Sequence, residues 1–87
     1  MTTRRLTFIG KPGCHLCDDA REVVDAVRAQ LAGDPAAPAV EVEELSILDD
    51  PALAALYAEE IPVVLIDGEP HGYWRIDGAR LRAALLA

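Results

Sequence analysis

The chain's two cysteines stand three residues apart, in Lys11-Pro12-Gly13-Cys14-His15-Leu16-Cys17. A Gly-Lys-Pro-Gly turn precedes them and a helical pattern follows, so both fall at the start of a helix. At that spacing two side chains share one face within a turn, with Cβ atoms roughly 5–6 Å apart, and a small backbone adjustment closes a disulfide. The chemistry such a pair supports is thiol-disulfide exchange. It needs a thiolate, which the unpaired N–H groups and positive dipole end of a helix N-terminus favour. Cys14, first in the chain and nearest Lys11, is suited to attack; Cys17, one turn further in, is suited to resolve the mixed disulfide.

The neighbouring charges are not all helpful. Asp18 and Asp19 complement the helix dipole, but each opposes a thiolate about 7 Å away by ~0.6 kcal/mol in water, comparable with the roughly 0.3–1 kcal/mol expected from the dipole. Lys11 and close N–H donors must tip the balance. His15 sits at the rim, where its charge tunes the thiols. Tetrahedral zinc wants four ligands, and beyond the cysteines only His15 and His71 offer nitrogen, so no metal site is expected. Two other readings remain open: a module that holds a metal or an iron-sulfur cluster between two copies of the chain, and a redox-silent adaptor that docks a partner on a hairpin edge.

Composition narrows the partners. With 87 residues the chain has room for one core, and residues 1–87 are read as a single domain. A formal charge of -7 argues against nucleic acid or an anionic membrane surface, both of which need a basic footprint. The residues after Met1-Thr2-Thr3-Arg4-Arg5 are too few and too mixed for a signal-peptide core, so a cytoplasmic, reducing setting is expected. There a lone C-x-x-C reads as catalytic rather than structural, and its loop is too short to stabilise much through chain entropy.

The elements that must hold the pair follow from periodicity. Residues 5–10 read as a strand. Leu16, Ala20, Val23, Val24, Val27 and Leu31 form one helical stripe that stops at Gly33. Asp34 to Pro38 is a loop, and residues 39–47 alternate as a half-wet strand. Asp50 caps a short helix with Pro51 at its first position and Leu53, Leu56 and Tyr57 on its apolar face. The apolar run 62–66 predicts a strand buried on both faces, and Asp67-Gly68 a hairpin into an antiparallel strand over 69–74. Tyr73 and Trp74 are expected to pack along that edge strand, and His71 to be solvated. Asp77 caps a last helix, opened by Gly78, with Leu81, Leu85 and Leu86 inward. The start of that helix favours anions, and Arg75 beside it is a candidate grip for a substrate carboxylate. The order βαβαββα implies one mixed four-stranded sheet flanked by three helices.

That order, with the C-x-x-C where the first strand meets the first helix and Ile61-Pro62-Val63 ahead of the buried strand, resembles the thioredoxin fold. With Lys11, Asp67-Gly68 and Gly72 it is most similar to the small glutaredoxin-like proteins. The resemblance implies an α/β thioredoxin-like fold and a thiol-disulfide oxidoreductase with Cys14 as nucleophile, Cys17 as resolving thiol and Lys11 beside the reactive sulfur. It further implies a cis Ile61-Pro62 bond, with Ile61 offering its N–H and C=O to a substrate. Partners would be a disulfide in a small molecule or a protein, with glutathione, another low-molecular-weight thiol or a reductase as electron donor. No tightly bound cofactor is expected, and a monomer is. The chain departs from familiar glutaredoxins in having His15-Leu16 rather than Pro-Tyr between the cysteines, no threonine before Ile61-Pro62, and Tyr73-Trp74-Arg75 after Gly72 in place of a second glycine and a Cys-Asp-Asp run.

Overall fold

A computed structural model describes residues 3–87. The elements follow the expected order: β1 (Thr3–Gly10), α1 (His15–Ala32), β2 (Ala39–Ser46), α2 (Pro51–Tyr57), β3 (Val63–Ile66), β4 (Glu69–Tyr73) and α3 (Gly78–Leu86). The strands form one mixed sheet in the order β2-β1-β3-β4. β1 runs parallel to β2 and antiparallel to β3, which is antiparallel to β4. This is the thioredoxin-like α/β arrangement that the resemblance implied.

Apolar content sorts the strands. Leu6, Phe8 and Ile9 of β1 and Val63 and Val64 of β3 are almost wholly buried, as expected for the two central strands, while Glu41, Glu43 and Glu44 of edge strand β2 face water. Helix α1 lays Cys17, Ala20, Val24, Val27 and Leu31 into the core. Cys17 thus belongs to the buried stripe, which the sequence reading did not include, and Leu16 and Val23 sit half-buried at its margins. Helix α3 buries Leu81 and Leu85 and packs on α1, with Gly78 facing Val23 and Val27 at a distance that would leave a methyl in ordinary contact, 3.4 Å from Val23 Cγ1 and 3.8 Å from Val27 Cγ2.

Two expected inward leucines face out. Leu56 is 65% exposed and Leu86 39%. At about 100° per residue, Leu53, Ala54 and Tyr57 share the inner face of α2, and Leu56 falls roughly 60° beyond its edge; Leu86 is rotated about 100° from Leu85 for the same reason. Strand β1 begins two residues earlier than expected because Thr3 pairs with Ala39. The strands β2, β3 and β4 are shorter by a terminal residue than expected, with Ile47, Pro62 and Trp74 just outside them.

The β3–β4 turn is tied to the centre of the sheet. Asp67 and Gly68 both take positive φ (51° and 84°), the pair of values a two-residue hairpin needs. Asp67 Oδ1 accepts from the Arg5 backbone N–H at 2.9 Å and Oδ2 from Arg4 Nε at 2.6 Å. The same Arg4 guanidinium donates to the Leu85 and Ala87 carbonyls, clamping the end of α3 to β1. The Arg5 N–H, and after it Arg4, hold the Asp67 carboxyl below its ordinary value near 3.8. A carboxylate whose folded value is depressed stabilises the fold above its unfolded value and loses that contribution as the pH falls. Asp67→Asn should therefore lower the urea midpoint at pH 7, and its gap from the parent should narrow as the pH drops below 3.8. A gap that stays constant with pH would show that the charge plays no part.

Candidate active site around Cys14 and Cys17

Strand β1 delivers the chain to the site through Gly10, which is buried, and the turn that follows reverses it at Gly13, whose φ of 74° suits a residue without Cβ. Cys14 then takes extended geometry (φ -103°, ψ 112°) as the N-cap of α1. Its Sγ accepts from the Cys17 backbone N–H at 3.2 Å, and its carbonyl accepts from the Asp18 N–H at 3.0 Å. A sulfur thus fills the role that a Ser or Asp oxygen has at most helix starts, and negative charge on it is stabilised by an N–H donor and by the dipole. This is the close donor that the sequence demanded without naming.

The second thiol has a different environment. Cys17 is fully buried, with its Sγ 3.0 Å from where a Cβ on Gly10 would be and the Phe8 ring on the same spot at 3.3 Å. No bond joins the two sulfurs. Burial, followed by the hydrogen bond to Cys14, pushes the Cys17 thiol up from its ordinary value of 9.0 to about 11, while the Lys11 backbone N–H and then the Arg21 charge act the other way. One thiol is reachable and capped by a donor, and the other is protonated and enclosed.

The remaining expected residues gather unevenly. Lys11 is exposed on the turn and lines a shallow cleft with Asp18, Arg21, Glu44 and Asp49. Ile9 pairs with Val63, so Pro62, one step further along, lies across from Gly10 at the end of β1 that leads into the cysteines. The Ile61-Pro62 bond is cis. The resemblance implied that Ile61 presents both backbone groups to a substrate, and here the structure differs: its N–H donates to the Tyr57 carbonyl at 3.1 Å, closing the last turn after α2, and leaves only the C=O.

Arg75 is exposed and lines one cleft with Leu16 and Asp19 of α1 and a second with His71 and Arg80. Gly78 lines neither, being turned toward Val23 and Val27, and the helix start there is capped by Asp77 Oδ1, which accepts from the Arg80 N–H at 3.1 Å. Tyr73, the last residue of edge strand β4, and Trp74, just past it, are 41% and 57% exposed rather than packed. His71 is half-buried rather than solvated, and burial, then Arg80, pushes its imidazole below the ordinary value.

Sequence reasoning missed two residues. Trp74 has φ 62°, uncommon for a bulky side chain, and is pinned by two hydrogen bonds, its N–H to the Pro62 carbonyl and its Nε1 to the Glu59 carbonyl, each at 2.9 Å. Arg21 bridges Asp18 and Glu44 and lies over the Phe8 ring, 5.3 Å from its centroid. Its i, i+3 spacing from Asp18 was visible; its partners on β1 and β2 were not. Among the described residues no group of three or more His, Cys, Asp or Glu is placed to hold a metal ion, and no helix is long and apolar enough to cross a membrane.

Residues 5–86 match the family described as Glutaredoxin-like domain (DUF836). The chain belongs to that family. This glutaredoxin-like domain is 30% identical over 83 residues to an uncharacterized protein of Mycobacterium tuberculosis, covering 95% of this chain and 84% of the relative. It is similar to an X-ray structure of a protein from X. campestris, with TM-score 0.65, 34% identity, and 92% of this chain and 93% of the other covered. A mutant thioredoxin from Halobacterium salinarum matches in fold, with TM-score 0.66, 19% identity, and 97% and 73% of the two chains covered. The glutaredoxin-like domain therefore has a thioredoxin-type fold with a C-x-x-C pair at the tip of its first helix, the setting of redox chemistry.

Two measurements test this geometry. A thiol whose folded value is raised stabilises the fold below its unfolded value and loses that contribution as the pH rises through the folded one. Under reducing conditions, stability should fall between pH 9 and about 11, and Cys17→Ala should remove that alkaline dependence; a parent curve flat over this window would contradict the enclosed thiol. Gly10→Ala, which drives a methyl into Cys17 Sγ and the Phe8 ring, should destabilise by about 1–3 kcal/mol in urea unfolding, and an unchanged midpoint would show that this contact is slack.

Proposed function

We propose that this glutaredoxin-like domain is a thiol-disulfide oxidoreductase working through Cys14 and Cys17. The observation that carries the reading is the inequality of the two thiols: Cys14 is half-exposed and holds an N–H donor at its sulfur, while Cys17 is enclosed one turn behind it. Exchange needs this division, because the attacking sulfur must meet substrate as a thiolate and the resolving sulfur must stay out of reach of stray disulfides until it is needed.

The Cys14 thiolate attacks one sulfur of a substrate disulfide, and the other sulfur leaves as a thiolate that takes up a proton. Cys17 then loses its proton and attacks Cys14 Sγ, which expels the second substrate thiol and leaves a Cys14–Cys17 disulfide. Two electrons have passed from the dithiol to the substrate. Glutathione, another small thiol or a reductase returns them, and no tightly bound cofactor takes part.

Lys11 contributes positive charge on the approach to Cys14. The Ile61 carbonyl beside Pro62 accepts from an extended substrate, and Arg75 takes a substrate carboxylate, with the helix start at Gly78 as the weaker anion site because Asp77 already caps it. A monomer in a reducing cytoplasm suits this cycle. A carrier that clips a metal or cluster between two copies is disfavoured because Cys17 is fully buried, so one chain presents a single reachable sulfur.

Cys14→Ser should lose disulfide reductase activity to background with glutathione-coupled, reductase-coupled and protein disulfide substrates alike. Cys17→Ser should accumulate a mixed disulfide at Cys14, and capture from cell extract followed by mass spectrometry would identify its partner. Activity that survives in Cys14→Ser overturns the assignment.

A further inference from the structure

The acidic surroundings of the dithiol pose a problem for the resolving step. Cys17 must become a thiolate while Cys14 is tied up in the mixed disulfide and its own charge is gone. The groups that act on Cys17 are Cys14 and Arg21 on α1 and the Lys11 backbone N–H on the preceding turn; Arg21 and Lys11 also line a cleft with Asp18 on α1 and with Glu44 and Asp49 on β2 and the loop after it, and the core neighbours of Cys17 from β1 and β3 are apolar. Three of the groups lining that cleft are carboxylates, and negative charge near a sulfur opposes its ionisation.

Arg21 is built into the middle of this set. It lies one helical turn beyond Cys17 on α1, so the two side chains are neighbours on one face. Its Nη1 donates to Asp18 Oδ1 at 2.9 Å, and its Nε and Nη2 converge on Glu44 Oε1 at 2.7 and 2.6 Å. The guanidinium covers the Phe8 ring at 5.3 Å, and the ring and the Cys17 sulfur both border Gly10, lying 3.3 and 3.0 Å from where its Cβ would be. The cation is thus held on the Phe8 ring, on the same helix as the buried sulfur and one turn beyond it, and its charge acts on that sulfur. The two carboxylates raise the guanidinium's own hold on its proton, so it stays charged at every working pH.

We infer that Arg21 is a positioning residue of the dithiol site: clamped by Asp18 and Glu44 over Phe8, it neutralises the acidic flank beside Cys17 and lets that sulfur give up its proton and close the disulfide. The inference rests on the oxidoreductase reading above. Its balance is that of the resolving step: Cys17 S–H loses a proton to water, the Cys17–Cys14 bond forms as the Cys14–substrate bond breaks, and the departing thiolate takes up a proton. With Arg21 the triad carries a net charge of one carboxylate; without it, two.

The test uses the reduced full chain and 4,4′-dithiodipyridine, an uncharged disulfide that releases one thiopyridone when Cys14 attacks and a second when Cys17 resolves. In Arg21→Gln the pH midpoint of the second release should move up by about one unit, which is roughly a tenfold slower release at a fixed pH below the midpoint. Arg21→Lys should stay within about threefold of the parent because it keeps the charge. Asp18→Asn combined with Arg21→Gln should return the midpoint toward the parent, since the triad again carries one negative charge. A second release with an unshifted pH profile in Arg21→Gln overturns the inference, as does an Arg21→Lys protein as impaired as Arg21→Gln, which would reduce Arg21 to a structural clamp. Should Arg21→Gln fail to fold, the lysine and double variants decide by the same criteria. A parent that releases only one thiopyridone overturns the dithiol reading itself and this inference with it.

Discussion

The site depends on one hydrogen bond at the tip of α1, from the Cys17 N–H to Cys14 Sγ. Helix starts leave several N–H groups without partners, and proteins usually satisfy them with an oxygen. Using a sulfur instead makes the first cysteine both a structural cap and the group best placed to carry negative charge. The same geometry sends the second cysteine inward, because residue 17 is on the face of α1 that must be buried against β1 and β3. The chemical inequality of the two thiols is therefore a consequence of helix phase. No further device is needed to create it.

The surrounding fold holds that phase. Gly10 of β1 lies against the buried thiol, and a side chain there would press on Cys17 Sγ and the Phe8 ring. The end of the sheet is a row of Gly10, Pro62 and Trp74, set by the pairing of β1 with β3 and of β3 with β4. At the far end of the same strands, Asp67 and Arg4 tie the hairpin and the end of α3 to β1. Of the row at the site end, the Ile61-Pro62 loop is more self-contained than the family likeness suggests, since Tyr57 already takes the Ile61 N–H. Of the two backbone groups of Ile61, that leaves only the carbonyl without a partner inside this loop.

Charge in the site is managed by pairing. In a chain with fifteen acidic residues against eight basic ones, the cysteine pair is followed directly by Asp18 and Asp19, and Asp18 lines a cleft with Glu44. Taken one residue at a time, the aspartates after the cysteines offset much of what the helix dipole contributes. The structure changes that account, because Asp18 and Glu44 both clamp Arg21, and the clamped guanidinium lies over the Phe8 ring of the central strand.

From sequence alone, local rules sufficed for the element order, the helix starts at Asp50 and Asp77, the Asp67-Gly68 turn and the placement of the cysteines at a strand-helix junction, because each depends on residues within one turn or hairpin of each other. The buried runs also identified β1 and β3 as strands without revealing that they sit side by side. Which thiol is enclosed, which carboxylates Arg21 holds, where Arg75 and Gly78 part company and why Leu56 and Trp74 face water were decided only by tertiary packing. Those outcomes depend on contacts between residues far apart in the chain, and on the exact rotation of each helix against the sheet, where a few tens of degrees move a side chain from core to solvent.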